Sequence, residues 1–262
     1  MARILSIVNQ KGGVGKTTTA VNIATALAAV GKKVLLIDFD PQGNASTGLG
    51  IEPSRRKITS YHVLIDGSLA DAAALPTEIP KLFIVPSNID LSAAEIELVN
   101  MSRREYRLKE SLSHANLDYD YVIIDCPPSL GLVTLNALTA SDSVIIPLQC
   151  EFYALEGLSH LLKTVKLIQK KLNPSLTIHG VILTMYDKRN KLTEHVERDV
   201  RAFLGDDVYQ TVIPRNVRIS EAPSHGKPAI VYDMKCAGSE AYLKLAKELI
   251  KREKRLLRTE AA

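Results

Sequence analysis

Ten residues near the start of the chain, Asn9 to Thr18, read N-Q-K-G-G-V-G-K-T-T. Their glycines let backbone N–H groups turn inward and approach phosphate oxygens closely. A helical pattern begins near Lys16, so the positive end of a helix dipole points at the same place. Lys16 is then spaced to reach the β- and γ-phosphates of a nucleotide, and the Thr17 hydroxyl to bind Mg²⁺. Gly12, Gly13, Val14, Gly15, Lys16, Thr17 and Thr18 are the candidate nucleotide-binding residues. One lysine is enough to hold the phosphates, so Lys11 needs another job. The loop also departs from G-x-x-x-x-G-K-[ST]: Gln10 stands where the first glycine is expected.

Carboxylates at the ends of apolar runs supply the rest of the chemistry. Asp38 and Asp40 open the stretch D-F-D-P-Q-G-N, and one-residue spacing lets both point the same way on an extended chain. Asp38 is the candidate to support Mg²⁺ through water, and Asp40 to orient the attacking water; capping a turn before Pro41 is the plainer alternative for each. Asp125 closes Y-V-I-I-D, an apolar strand ending in the acid that holds Mg²⁺ through a bound water. Cys126 follows with no histidine nearby to activate it, which makes it a packing residue rather than a nucleophile. Thr184 to Asp187 reads T-M-Y-D; guanine recognition wants a lysine where Tyr186 stands, so ATP is expected over GTP.

Basic residues gather late in the chain. Residues 186–262 carry 16 Lys and Arg against 12 Asp and Glu, while the first 185 residues balance at 17 of each. The whole net charge of +4 therefore lies in the last third, which suits an acidic partner there. Lys188, Arg189 and Lys191 in D-K-R-N-K, with Arg215 and Arg218 in P-R-N-V-R, are the candidate contacts to nucleic-acid phosphate. A solvated turn is the plainer alternative for the first group, and a nucleotide or structural role for Arg215.

Elements that could position these residues alternate along the chain. Strands are expected over residues 4–8, 33–38, 82–86, 121–125, 143–147, 178–183 and 208–213. Helices are expected over 17–30, 92–100, 104–115, 132–139, 154–172, 192–204 and 239–257. Several strands are apolar throughout, which calls for burial on both faces of a parallel sheet. The expected fold is α/β: a doubly wound, mostly parallel sheet flanked by helices, in a single domain spanning 1–262, with residues 50–80 as a surface excursion. The first strand starts at residue 4, so no N-terminal DNA-binding extension is expected. Three cysteines without a C-x-x-C pair argue against a disulfide framework or zinc site and fit a reducing cytoplasm. No apolar run approaches the ~20 residues that span a bilayer.

The form K-G-G-V-G-K-T resembles the deviant Walker A loop of the ParA/MinD family of P-loop ATPases. D-F-D-P-Q-G-N resembles the family's switch I, and D-C-P-P-S-L-G its switch II, where Pro127 and Pro128 stiffen a turn that senses the γ-phosphate. I-P-R-N-V-R-I-S-E-A-P-S-H-G resembles the late loop that packs near adenine. In this order, from about Ile4 to Leu249, the motifs resemble chromosomal, Soj-type partition ATPases. The resemblance implies that Lys11 reaches across a dimer to the partner's nucleotide, and that Lys11, Lys16 and Asp40 serve catalysis. It implies base contacts from Pro214 and Asn216, and DNA contacts from Arg189 and Arg218. It further implies ATP and Mg²⁺ as cofactors, an ATP-dependent homodimer on nonspecific double-stranded DNA, and a nucleoid-associated, cytoplasmic protein. A ParB-type centromere-binding partner would stimulate slow ATP hydrolysis and release.

Two other readings share the loop. A MinD-like membrane-surface ATPase would end in an amphipathic anchor. The tail K-R-E-K-R-L-L-R-T-E-A-A offers only Leu256 and Leu257 as large apolar residues, so no stable membrane anchor is expected. A redox ATPase resembling the nitrogenase iron protein would need cysteines matched across a dimer, and Cys126 and Cys150 form no evident pair.

Overall fold

A computed structural model describes residues 2–260, with side chains as far as Arg255. Leu256 and Leu257 thus lie outside the described side chains. Seven strands form one sheet: β1 (Arg3–Ile7), β2 (Val34–Asp38), β3 (Leu75–Pro76), β4 (Leu82–Val85), β5 (Tyr121–Asp125), β6 (Ser143–Gln149) and β7 (Thr177–Thr184), in the order β3-β4-β2-β5-β1-β6-β7. Every pairing is parallel except that of the two-residue edge strand β3 with β4. The helices are α1 (Lys16–Ala29), α2 (Asn44–Gly48), α3 (Ser60–Leu64), α4 (Ala70–Ala73), α5 (Leu91–Glu97), α6 (Arg107–His114), α7 (Leu132–Ala140), α8 (Ala154–Lys171), α9 (Lys191–Leu204), α10 (Val217–Glu221), α11 (Ala229–Tyr232) and α12 (Ala237–Glu260).

Side-chain alternation along β2 builds two cores at once. Val34 and Leu36 join the layer beneath α1 and α12, while Leu35 and Ile37 join the layer beneath α3 and α5 to α8. Helix α1 buries almost its whole circumference, since residues 19–28 are covered on every side by the sheet and by its neighbours α2, α11 and α12. Alanines at 20, 24, 26 and 28 let those elements close in. The register places Asp38 opposite Asp125, and Asp125 opposite Ile7. Three carboxyl-terminal strand ends thereby meet at the mouth of the glycine loop.

Two expectations are corrected. Residues 208–213 form no ladder strand: Val208 makes only an isolated bridge to Val181, although the segment runs beside β7. Its backbone is claimed by side chains of α12 and α9. Glu248 accepts from the N–H groups of Gln210 (2.8 Å) and Thr211 (2.9 Å), while Arg252 donates to the Val208 carbonyl and Arg201 to that of Tyr209. Residues 50–80 are not merely an excursion. Helices α3 and α4 carry Val63, Leu64, Ala70 and Ala73 into the core beneath the edge of the sheet.

Candidate nucleotide site and basic face

The turn between β1 and α1 is shaped by two glycines with left-handed backbone, Gly13 (φ 76) and Gly15 (φ 85), the latter capping α1. Only glycine adopts these conformations cheaply. A Cβ added at Gly12 would meet no other atom within 4 Å, so the fold itself does not require glycine there. Its bareness instead leaves room for a bulky group against the backbone, as a phosphate would be. The first turn of α1 contains no acidic residue, leaving the positive end of its dipole uncompensated. The loop is anchored from both sides. The Asn9 amide donates to the Pro147 carbonyl (2.7 Å) while its oxygen accepts from the Lys11 N–H (3.0 Å), and the Thr184 hydroxyl donates to the Val14 carbonyl (2.9 Å).

Both lysines are engaged within the chain. Lys16 is 7% exposed, and its ammonium donates to the Lys11 carbonyl at 2.8 Å. Burial lowers its pKa, and the carboxylates of Asp125 and Asp40 work in the other direction. The exposed Lys11 side chain is ion-paired with Glu151.

The three aspartates divide into distinct situations. Asp125 is fully buried and neither of its oxygens has a hydrogen bond of ordinary geometry; Thr17 lies close enough only to ease its charge. Burial, followed by repulsion from Asp38, pushes its pKa well up. Native proteins seldom leave a buried carboxylate unpartnered without a use for it. Beside the Thr17 hydroxyl it fits a Mg²⁺ with its water shell. Asp38 is spoken for: it accepts from the Ser46 N–H (2.8 Å), the Ser46 hydroxyl (2.7 Å) and the Asp40 N–H (3.2 Å), and burial raises its pKa to about 6. Its hydrogen bonds brace the turn leading into α2, and its charge sits beside Asp125. Asp40 is half-buried, and its side chain accepts a hydrogen bond from the Gln42 N–H (3.0 Å). Its charge is felt at Lys16, where it works against the effect of burial.

At the end of β7, Met185 has left-handed backbone (φ 50), and the chain then pairs Tyr186 with the 213–215 segment: the Tyr186 N–H donates to Ile213 and the Arg215 N–H to Tyr186. Thr184 to Asp187 and the Pro214–Asn216 loop, separated by some 30 positions, become one surface. The Asn216 oxygen accepts from the Arg218 N–H and caps α10, leaving its amide N–H groups for a ligand. Lys188, Arg189, Lys191, Arg215 and Arg218 are all exposed, as their proposed role requires. Two carry internal counter-charges: Arg189 is bidentate on Asp187, holding that acid down to about 2, and Arg218 pairs with Glu221 (2.9 Å) and Asp233 (3.6 Å). An open groove of about 740 Å³ sets Lys188 and Arg189 beside Lys244 of α12, a cation absent from the sequence-derived set. Ser46, Asn9 and Glu151 were also missed, because their partners are fixed only by the fold. The buried cysteines Cys126 and Cys150 have thiols pushed up by burial, the latter to about 12, so neither is poised for chemistry. Among the described residues there is no cluster of three or more metal-ligating side chains, and no helix is long and apolar enough to cross a membrane.

A parallel sheet whose first turn is a glycine-and-lysine phosphate cradle, faced by an acid at the end of β5, defines a P-loop nucleotide-binding protein of the α/β class. A family model described as an AAA domain matches residues 2–178. The chromosome partitioning protein ParA of Caulobacter vibrioides is 60% identical over 254 residues, covering 96% of this chain and 95% of that protein. The sporulation initiation inhibitor protein Soj of Bacillus subtilis is 57% identical over 249 residues, covering 95% and 98%. Among solved structures, a cobyrinic acid a,c-diamide synthase from Mycobacterium smegmatis with bound ADP and magnesium superposes with a TM-score of 0.84 at 39% identity, covering 97% and 96%. The chain belongs to the ParA/Soj family of chromosome-partitioning ATPases.

Proposed function

We propose that this chain is a Mg-ATP-driven DNA partition ATPase whose dimerisation and DNA binding are gated by the nucleotide. The observation that carries the reading is Asp125, fully buried with neither oxygen in a hydrogen bond of ordinary geometry, beside Lys16 and Thr17 at the end of the glycine cradle. Gly12 to Thr18 receive the phosphates through backbone N–H groups, and Lys16 leaves the Lys11 carbonyl for the β- and γ-oxygens. Thr17 and Asp125 would hold Mg²⁺, with Asp38 supporting it through water, and the ion would neutralise charge on the phosphate tail. Asp40, whose charge is felt at Lys16, orients the attacking water. Lys11 reaches the nucleotide of a second copy and adds a cation to the transferring phosphoryl group. Pro214 and the Asn216 amide contact the base.

The dimer then doubles a sparse basic face. Lys188, Arg189, Lys191, Arg215 and Arg218 bind duplex DNA through its phosphates, so binding is independent of sequence and falls steeply with salt. Presenting two such faces together raises the effective affinity without any new contact. A ParB-type centromere-binding partner stimulates an otherwise slow hydrolysis and returns the chain to monomers, which gives a cytoplasmic protein held on the nucleoid while ATP-bound. The names of the ParA and Soj relatives support the partitioning role. The test is Asp40→Ala in sedimentation velocity with Mg-ATP. A persistent dimer that releases no phosphate is expected; a monomer, or undiminished phosphate release, refutes the assignment.

A further inference from the structure

Glu151 stands in the turn between β6 and α8, 140 positions from the lysine it pairs with. We infer that it is a positioning residue that latches Lys11 inside its own subunit and thereby sets how much ATP is needed for two copies to assemble. The inference rests on the reading that Lys11 acts across a dimer. In the single chain the cation meant for a partner's phosphates is already satisfied by the Glu151 carboxylate, and the Lys11 carbonyl simultaneously occupies the Lys16 ammonium. Both lysines must be released before the site is complete, one by the subunit's own nucleotide and the other by the partner's.

The setting of Glu151 suits a contact that opens on assembly. The next two residues, Phe152 and Tyr153, are 76% and 68% exposed and pack edge-to-face on each other at 5.0 Å, an aromatic patch beside the exposed Lys11. Such patches mark surfaces that another molecule covers. The pair itself is weakly held, with 52% of the lysine and 31% of the glutamate side chain exposed. An exposed ion pair shifts an equilibrium by up to about five-fold. Two latches open per dimer, so their joint effect on the dimerisation constant is at most about 25-fold. That is small enough for a partner's polyphosphate to overcome and large enough to keep the nucleotide-free chain from assembling early.

The test is sedimentation velocity of wild type, Glu151→Gln, Lys11→Ala and the double variant, titrated with Mg²⁺ and a slowly hydrolysed ATP analogue. A fluorescent nucleotide titration at low protein concentration runs alongside to read binding by the monomer. Glu151→Gln is expected to dimerise several-fold more readily at unchanged monomer nucleotide affinity, and the double variant to behave like Lys11→Ala. A merely structural role for Glu151 would leave its effect intact when Lys11 is absent. Glu151→Gln dimers as weak as wild type or weaker, while Lys11→Ala does not assemble, overturn the latch alone. Lys11→Ala dimers as strong as wild type overturn the trans-acting lysine and the latch with it.

Discussion

Replacing Asp125 by Asn should make the nucleotide-free protein more stable while destroying its use of Mg²⁺. Asp125 has no exposed surface, and neither of its oxygens has a hydrogen bond of ordinary geometry, the Thr17 hydroxyl alone easing its charge. Leaving a buried polar group unpaired costs roughly 1–3 kcal/mol, and a charged one more. An amide has almost the same shape, carries no charge, and its N–H groups would face the Asp38 carboxylate that repels Asp125. A gain of about 2 kcal/mol corresponds to roughly 4–8 °C in melting temperature for a domain of this size. The pH dependence has a definite sign. Because burial raises the Asp125 pKa, the folded chain holds its proton at pH values where the unfolded chain has lost it. Stability therefore drains away as pH rises through that interval, and the advantage of Asn grows with pH. Thermal unfolding in EDTA across a pH series, beside calorimetric ATP titrations with and without Mg²⁺, reads both effects. A variant less stable than wild type, or one whose ATP affinity still depends on Mg²⁺, refutes the reasoning.

Two further outcomes test other parts of the molecule. Lys16→Ala should weaken ATP binding about 10- to 100-fold, the loss of charge-assisted bonds to phosphate, and equilibrium titration that gives wild-type affinity would unseat the loop assignment. His179, buried against the Tyr209 hydroxyl (2.6 Å), is held down to about 4 by burial and by the nearby Arg252 and Arg3. The unfolded chain takes up that proton first, so stability should fall as pH drops from about 6.5 toward 4, by up to ~3 kcal/mol less the opposing effect of Glu253, whose own pKa is raised. His179→Gln should flatten that slope in urea melts, and an unchanged slope would place the titration elsewhere.

Much of the fold and site was legible because local chemistry dictates it. Left-handed turns at Gly13 and Gly15 and the apolar runs of β2 and β5 leave few structural options. Illegible features depend on groups far apart in sequence. The segment 208–213 has the apolar pattern of a strand, but Glu248 and Arg252 on α12 take backbone groups that a ladder would use. That Ser46, eight positions on, holds one oxygen of Asp38 twice has no local signature either. The partner of Lys11 lies 140 positions away and carries no local signature. Short helices α3 and α4 escaped because four or five residues show no period.

The claim that nucleotide gates DNA binding through the late basic face is tested most directly by retention on nonspecific duplex DNA. Wild type, Arg189→Glu and Arg218→Glu are compared with ADP, ATP and a slowly hydrolysed analogue at two salt concentrations, with dimerisation measured in parallel. Wild type should be retained with ATP or the analogue but not with ADP, and lose most of that retention at the higher salt. Both variants should dimerise normally and fail to bind. Retention that is equal with ADP and ATP, or that survives both charge reversals and the added salt, would contradict it.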